Sequence, residues 1–356
     1  MTLPTEPIGS IPRPEELIES LLAFQKGDLS SEALDGVYDR ALRATIDAFE
    51  NTGSPVITDG EQAKPSFLTY PVEGADNVEP DGMEIPFAAG HTRRLPRLTE
   101  GPFRYETYAV EYLTRAQEYA NVPVKQAVIS ASALSLLYPD AGLDGYPREA
   151  FLEDLVDEVE ADIRQCLEAG AHAVQMDFTE GRLAVKLDPS KDLLRRFVDL
   201  NNRVLDRFSM EERQRIGIHT CPGGDKDSTH SADVDYAELL PLLFEMNAGR
   251  FYMQFVSEDD PERVLDVVRE HSRDDQTIFL GVIDVTDPEV ESPKEVRDTV
   301  LRAAEHLPAD RLGTTDDCGF SPFGDDRSTA RRTAFRKIAV RVEGTQMASE
   351  ELGLDE

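Results

Sequence analysis

Two stretches of the sequence hold side chains able to share one metal ion. "IGIHTCPGGD" places His219 and Cys221 two residues apart, just past a short apolar run, and "TTDDCGFSPF" places Cys318 after another such run. Zinc takes nitrogen and sulfur ligands in a tetrahedron, often with one ligand far away in sequence. A zinc ion held by His219, Cys221 and Cys318 keeps a position open for an incoming thiol, which the metal deprotonates at neutral pH. The chemistry such a site suits is alkyl transfer to sulfur, with the bound thiolate as nucleophile. Two other readings stay open: a dry pocket with two buried thiols, and a nucleophilic cysteine with a histidine base. Cys166 lies in the apolar stripe of a helical pattern and reads as a small core residue.

These side chains need elements that bring distant residues to one place. β-branched and apolar runs recur at 6–12, 54–60, 124–131, 172–178, 215–221, 250–256, 277–284 and 311–319. Helical patterns lie between most of them. In 146–170, Phe151, Leu155, Val156, Val159, Ile163 and Leu167 share a face, and Gly170 closes the helix. Similar patterns cover 109–120, 188–208, 231–249, 260–272 and 292–308, with Asp, Ser and Pro at several starts. Strands alternating with helices mean a parallel sheet, and eight strands predict an α/β fold of the (β/α)8 barrel type. Residues 1–356 read as one catalytic domain, with 71–123 a turn-rich insertion or lid after the second strand.

Composition narrows the function classes. Asp and Glu number 70 against 37 Lys and Arg, a net charge of −33. Nucleic acid and anionic membranes would be repelled. Three cysteines make no disulfide framework, and "MTLPTEPIGSIPRP" has no secretory pattern, so a reduced, cytoplasmic protein is expected.

Barrel chemistry sits at the carboxyl ends of strands. Ser10, Glu61, Asp177, His219, Cys221, Gln254, Asp284 and Cys318 all fall at such ends. The ordered series "IGSIPRP", "ITDGE", "VQMDFTEGRL", "IHTCPGGD", "FYMQFVSED" and "TTDDCGFSPF" resembles the catalytic half of cobalamin-independent methionine synthase. That resemblance implies a zinc-dependent transfer of a methyl group to homocysteine. It implies zinc ligands at His219, Cys221, Gln254 and Cys318, and homocysteine held by Ile8, Gly9 and Ser10, with Glu61 and Asp177 on its amino group. The methyl donor would be methyltetrahydrofolate or a methylcorrinoid protein.

Several positions depart from the family pattern. Gln254 stands where the family has a glutamate ligand. Thr286 stands where the family has a histidine that helps protonate the departing pterin, leaving His230 as a candidate substitute. The chain has no tryptophan to stack on a pterin, and no counterpart of the family's extra N-terminal barrel is expected in these 356 residues. The alternatives are a zinc-dependent thiol alkyltransferase opening epoxides, like epoxyalkane:coenzyme M transferase, and a non-catalytic corrinoid- or thiol-binding protein.

Overall fold

The computed structural model describes residues 2–87, 90, 92–224 and 229–354. Six parallel strands form the body of the barrel. They are β5 (Gln126–Ile129), β6 (Val174–Asp177), β7 (Ile216–Thr220), β8 (Arg250–Met253), β9 (Thr277–Gly281) and β10 (Leu312–Thr315), side by side in chain order. Two shorter staves close the ring. Thr5 pairs in parallel with Thr314 of β10, and Ile57 pairs in parallel with Val124 just before β5. The first and second staves meet where Ile11 N donates to Gly60 O at 3.0 Å and Thr58 Oγ1 donates to Gly9 O at 2.9 Å. The fold is the (β/α)8 barrel. β5, β6, β7 and β10 are buried along their length, and β8 and β9 in all but their first residue, as a sheet covered by helices requires.

Local chemistry explains the outer helices. In Arg148–Glu168 the residues Phe151, Leu155, Val156, Val159, Ile163 and Cys166 are all fully buried. Gly170 then takes a φ of +84°, and Ala171 N reaches back to Cys166 O at 3.0 Å, which ends the helix. Pro293–Ala304 starts at a capping box between Ser292 and Glu295.

Two expectations change. The pattern at 231–249 folds as a 3-10 turn, Tyr236–Glu238, and a four-residue helix, Leu240–Leu243. Pro241 has no N–H to continue a helix from the first turn. The helices Glu15–Gln25, Ser31–Glu50 and Arg331–Glu351 add to the expected set.

The insertion after the second stave contains four short strands. β1 (Val78–Glu79) pairs with β4 (Arg97–Leu98), and β2 (Glu84–Pro86) pairs with β3 (Thr92–Arg94), both antiparallel. This small sheet system overlies the carboxyl end of the barrel, where Ile85, Phe87 and Leu95 face the main cavity. Among the described residues no helix is long and apolar enough to cross a membrane.

Candidate active site

Strand register sets the floor of the site. Asp177 at the end of β6 pairs with His219 of β7, and His219 pairs with Tyr252 of β8. His219 is 2% exposed. Its Nδ1 lies 3.1 Å from the carbonyl oxygen of Tyr252, so that nitrogen carries the proton and donates. Nε2 is left as a lone pair, buried and without a hydrogen-bond partner. Burial lowers the imidazole pKa to about 3, so the ring is neutral at physiological pH.

Cys221 and Cys318 come together 97 residues apart in sequence, with Cα atoms 6.0 Å apart and their sulfurs in contact. The sequence predicts these sulfurs as two ligands of one zinc ion, with a dry pocket of two thiols as the alternative; the structure brings them sulfur to sulfur, which suits a disulfide or a pair of ligands to one ion. His219 distinguishes these. Its ligand atom and the two sulfurs all lie within 4.8 Å of one another, and all three residues are buried. A disulfide leaves the Nε2 lone pair dry and unsatisfied, at a cost of roughly 1–3 kcal/mol. A soft cation satisfies all three groups, so the donor set fits a metal.

The loop carrying Cys318 is anchored by its two preceding aspartates, which sequence reasoning passed over. Asp317 accepts from the backbone N–H groups of Phe255, Val256 and Ser257 at 2.8, 3.1 and 3.0 Å and from Ser257 Oγ at 2.5 Å. It ties the end of β10 to the segment after β8. Asp316 accepts from Arg341 Nη1 at 2.5 Å, a fully buried pair that fastens the C-terminal helix to the same loop. Gly319 permits the approach of the first stave: a Cβ there would lie 2.2 Å from Ser10 Oγ. Ser10 Oγ accepts from Ser321 N at 3.1 Å.

Gln254 follows β8 but is already engaged. Its Oε1 accepts from Arg182 Nη1 at 3.3 Å, and its Nε2 donates to Ser257 Oγ at 2.7 Å. Arg182 also pairs with Glu258 at 2.7 Å. Gln254 lines a second cleft that also touches Cys318, together with Asp284 and Thr286.

The cavity beside His219 and the two sulfurs spans about 850 Å³, counted out through its open mouth. It is lined by Ile8, Gly9, Ser10, Glu61, Asp177, His219, Cys221, His230 and Cys318, which sequence reasoning had singled out from distant stretches. Glu61 adopts a left-handed backbone at φ +55°, unusual for a residue with a Cβ. Arg13, missed from the sequence, supports that turn by donating to Glu61 O and Lys64 O, each at 2.7 Å.

Lys64 is the second missed residue. Its Nζ lies 3.4 Å from Glu61 Oε1, donates to Ala127 O at 2.8 Å, and sits 4.7 Å from the centre of the Tyr70 ring. Burial opposes its charge, but Glu61, Asp59, Asp177 and Asp162 outweigh that and hold it as an ammonium. Asp177 Oδ1 accepts from Gln175 Nε2 at 2.8 Å, and Gln175 Oε1 accepts from Lys125 at 2.7 Å. Burial raises the Asp177 pKa, and the charge of Glu61 raises it further. The pair therefore shares its surroundings with buried cations, Lys64 in direct contact and Arg13 and Lys125 further off, a different balance from the two bare acids read from sequence.

The outer wall is apolar and aromatic. Phe67, Phe87 and Phe323 meet edge to face, at 5.6 Å for Phe67–Phe323 and 6.3 Å for Phe87–Phe323. Phe87, on the insertion, also packs on the His230 ring at 6.1 Å. Burial lowers the His230 pKa to about 4, and its Nδ1 has no hydrogen-bond partner.

A family model described as "Cobalamin-independent synthase, Catalytic domain" matches residues 3–341. The chain belongs to that family. It is an enzyme of the methyltransferase class, of the methionine synthase type. A methionine synthase of Saccharolobus solfataricus is 22% identical over 352 residues, covering 98% of this chain and 96% of that protein. One from Sulfurisphaera tokodaii is 21% identical over 350 residues, covering 98% and 94%. Among solved structures, a B12-independent methionine synthase from Shewanella sp. W3-18-1, in complex with selenomethionine, superposes with a TM-score of 0.78. It is 20% identical, with 99% of this chain and 100% of that one covered. The putative enzyme from Listeria monocytogenes gives 0.73 at 20% identity, with 97% and 98% covered.

Proposed function

We propose that the cavity is a zinc site for methyl transfer to the thiol of homocysteine, giving methionine. The observation that carries the reading is the buried, unpartnered Nε2 of His219 beside two sulfurs. Those three side chains would hold the ion, and Gln254 would join them only by giving up its contact with Arg182. Bound zinc would supply the charge that keeps a substrate thiol deprotonated at neutral pH.

The rest of the work falls to the chain itself. Ile8, Gly9 and Ser10 line the side of the cavity next to Cys318 and would receive the amino acid's backbone groups. Glu61 and Asp177 would receive its ammonium, with Lys64 fixing the Glu61 carboxylate. The selenomethionine named with the Shewanella structure supports an amino-acid occupant of this cavity. The aromatic wall of Phe67, Phe87 and Phe323 would exclude water around the departing methyl group. Residues 71–123 act as the lid that carries Phe87, within a single catalytic domain. His230 would face the donor, methyltetrahydrofolate or a methylcorrinoid protein, as a neutral hydrogen-bonding ring. Thiolate ligands require a reducing compartment, which supports a cytoplasmic enzyme.

The test is a direct assay. Zinc-loaded protein is given homocysteine with each methyl donor, and methionine is measured by mass spectrometry. Methionine from homocysteine is expected. Alkylation of coenzyme M by an epoxide, with no reaction of homocysteine, would overturn the reading.

A further inference from the structure

A buried acid without an assigned part lines the same cavity. Glu180 begins the helix Glu180–Leu187, three residues after Asp177, and is 6% exposed. Its Oε1 accepts from Ser130 Oγ at 2.6 Å and also from Ser132 Oγ. Both hydroxyls are fixed from behind: Asn201 Nδ2 donates to Ser132 Oγ at 2.7 Å, and Ala133 N donates to Ser130 Oγ at 3.1 Å. Oε2 is buried with no hydrogen-bond partner. A carboxylate with one dry oxygen is expensive. A carboxylic acid suits the same surroundings, with Oε1 as the doubly bonded acceptor and Oε2 as a buried O–H that has no acceptor among the described residues, on a side chain that lines the cavity.

We infer that Glu180 is the acid that protonates the leaving atom of the methyl donor. The inference rests on the methyl-transfer reading above. The thiol's proton leaves to solvent when the thiol binds. The S–CH3 bond then forms as the bond from the methyl carbon to a nitrogen or oxygen breaks. The electron pair of that bond stays on the leaving atom, which takes the proton from Glu180 Oε2. The Ser130 and Ser132 hydroxyls hold the resulting carboxylate, and solvent returns a proton to it. The balance is thiol plus methylated donor giving thioether plus protonated donor. The donor class is therefore an N- or O-methyl compound. A methyl–cobalt bond leaves its electron pair on cobalt and needs no proton.

The surrounding groups agree. Burial pushes the Glu180 pKa up to about 7, against the hydrogen bonds from Ser130 and Ser132. An acid of that strength is matched to neutral pH. His230, held near 4, is almost wholly unprotonated there. Arg182, on the same helix, is turned to Glu258 and Gln254, and the cavity's other acids, Glu61 and Asp177, pair with Lys64 and Gln175.

Glu180→Gln tests this cleanly. The amide oxygen can keep both serine contacts and the amide nitrogen can still donate, but no proton can be delivered. Zinc content, homocysteine affinity, kcat and KM are measured from pH 5 to 9 with methyltetrahydrofolate and with methylcobalamin. Expected is a kcat with methyltetrahydrofolate at least about 100-fold lower. Zinc content, thiol affinity and donor KM stay within about 3-fold, and the fall of kcat above pH ~7 seen in the wild type disappears. Ser132→Ala, a second variant, removes one hydrogen bond from the carboxylate and moves that fall to higher pH. A Glu180→Gln enzyme within about 3-fold of wild-type kcat overturns the assignment, as does a fall in kcat unmoved in both variants. Either result leaves methyl transfer standing as long as methionine is made. No methylated thiol from the wild type with any donor overturns the reading beneath it as well.

Discussion

Lys64→Met removes a buried charge and keeps most of the side chain's length beneath Tyr70 and Tyr112. Lys64 Nζ and Glu61 Oε1 are 3.4 Å apart, with side chains 1% and 4% exposed. At an effective dielectric of about 20 their attraction is roughly 5 kcal/mol before desolvation is subtracted. Removing one member of such a pair typically costs about 3–5 kcal/mol, because the other charge is stranded. In the variant, Glu61 and Asp177 lose the cation in direct contact and keep only Arg13 and Lys125 further off, so one takes up a proton more readily. Burial already raises both acids. Raised carboxyl groups contribute stability that is present at low pH and lost as pH rises. The loss should therefore be largest near pH 8 and smaller near pH 5.5. Urea unfolding at both pH values, at fixed ionic strength, measures it. Methionine should recover part of the loss by bringing its own ammonium. A loss below about 1 kcal/mol at both pH values would show that Lys64 does not balance this pocket.

Other outcomes follow from the same contacts. Glu61→Gln should weaken homocysteine binding by about 1–3 kcal/mol, read by calorimetry; an unchanged dissociation constant means the carboxylate does not meet the ammonium. Phe87→Ala should raise the donor KM while leaving thiol affinity intact, since Phe87 belongs to the insertion's side of the cavity; equal losses for both substrates would place it differently. Glu180 moves from an ordinary value of 4.5 to about 7 on folding. Its contribution is complete below pH 4.5 and lost as pH rises through 7, so the wild type should lose roughly 3 kcal/mol relative to Glu180→Gln across that window. A constant difference between the two proteins would show that Glu180 is ionised in the fold.

The barrel was legible because each stave is a short β-branched run ending in a polar residue. That pattern located Ser10, Glu61, Asp177, His219, Cys221 and Cys318 before any coordinates. The groups that support them were not legible. Lys64 and Arg13 look like surface cations in sequence, and only the turn at Glu61 brings them inside. The helix Arg331–Glu351 buries Lys337, Arg341, Thr345 and Ser349 among Ala334, Ile338 and Ala348, so its inward face carries only a weak hydrophobic period. Its partners, Glu291 and Asp316, lie on other elements. Glu180 was quoted in a motif but had no visible partner, because Ser130 and Ser132 lie about 50 residues earlier. The helical reading of 231–249 underweighted Pro241.

The most direct measurement is the metal itself. Wild-type protein purified under reduction and reconstituted with zinc should carry one ion per chain. X-ray absorption at the zinc edge should show two sulfur neighbours and at least one nitrogen. Cys221→Ser, Cys318→Ser and His219→Ala should each lose that ion or replace the missing neighbour with oxygen. Full zinc content with an unaltered sulfur count in both cysteine variants would contradict the site.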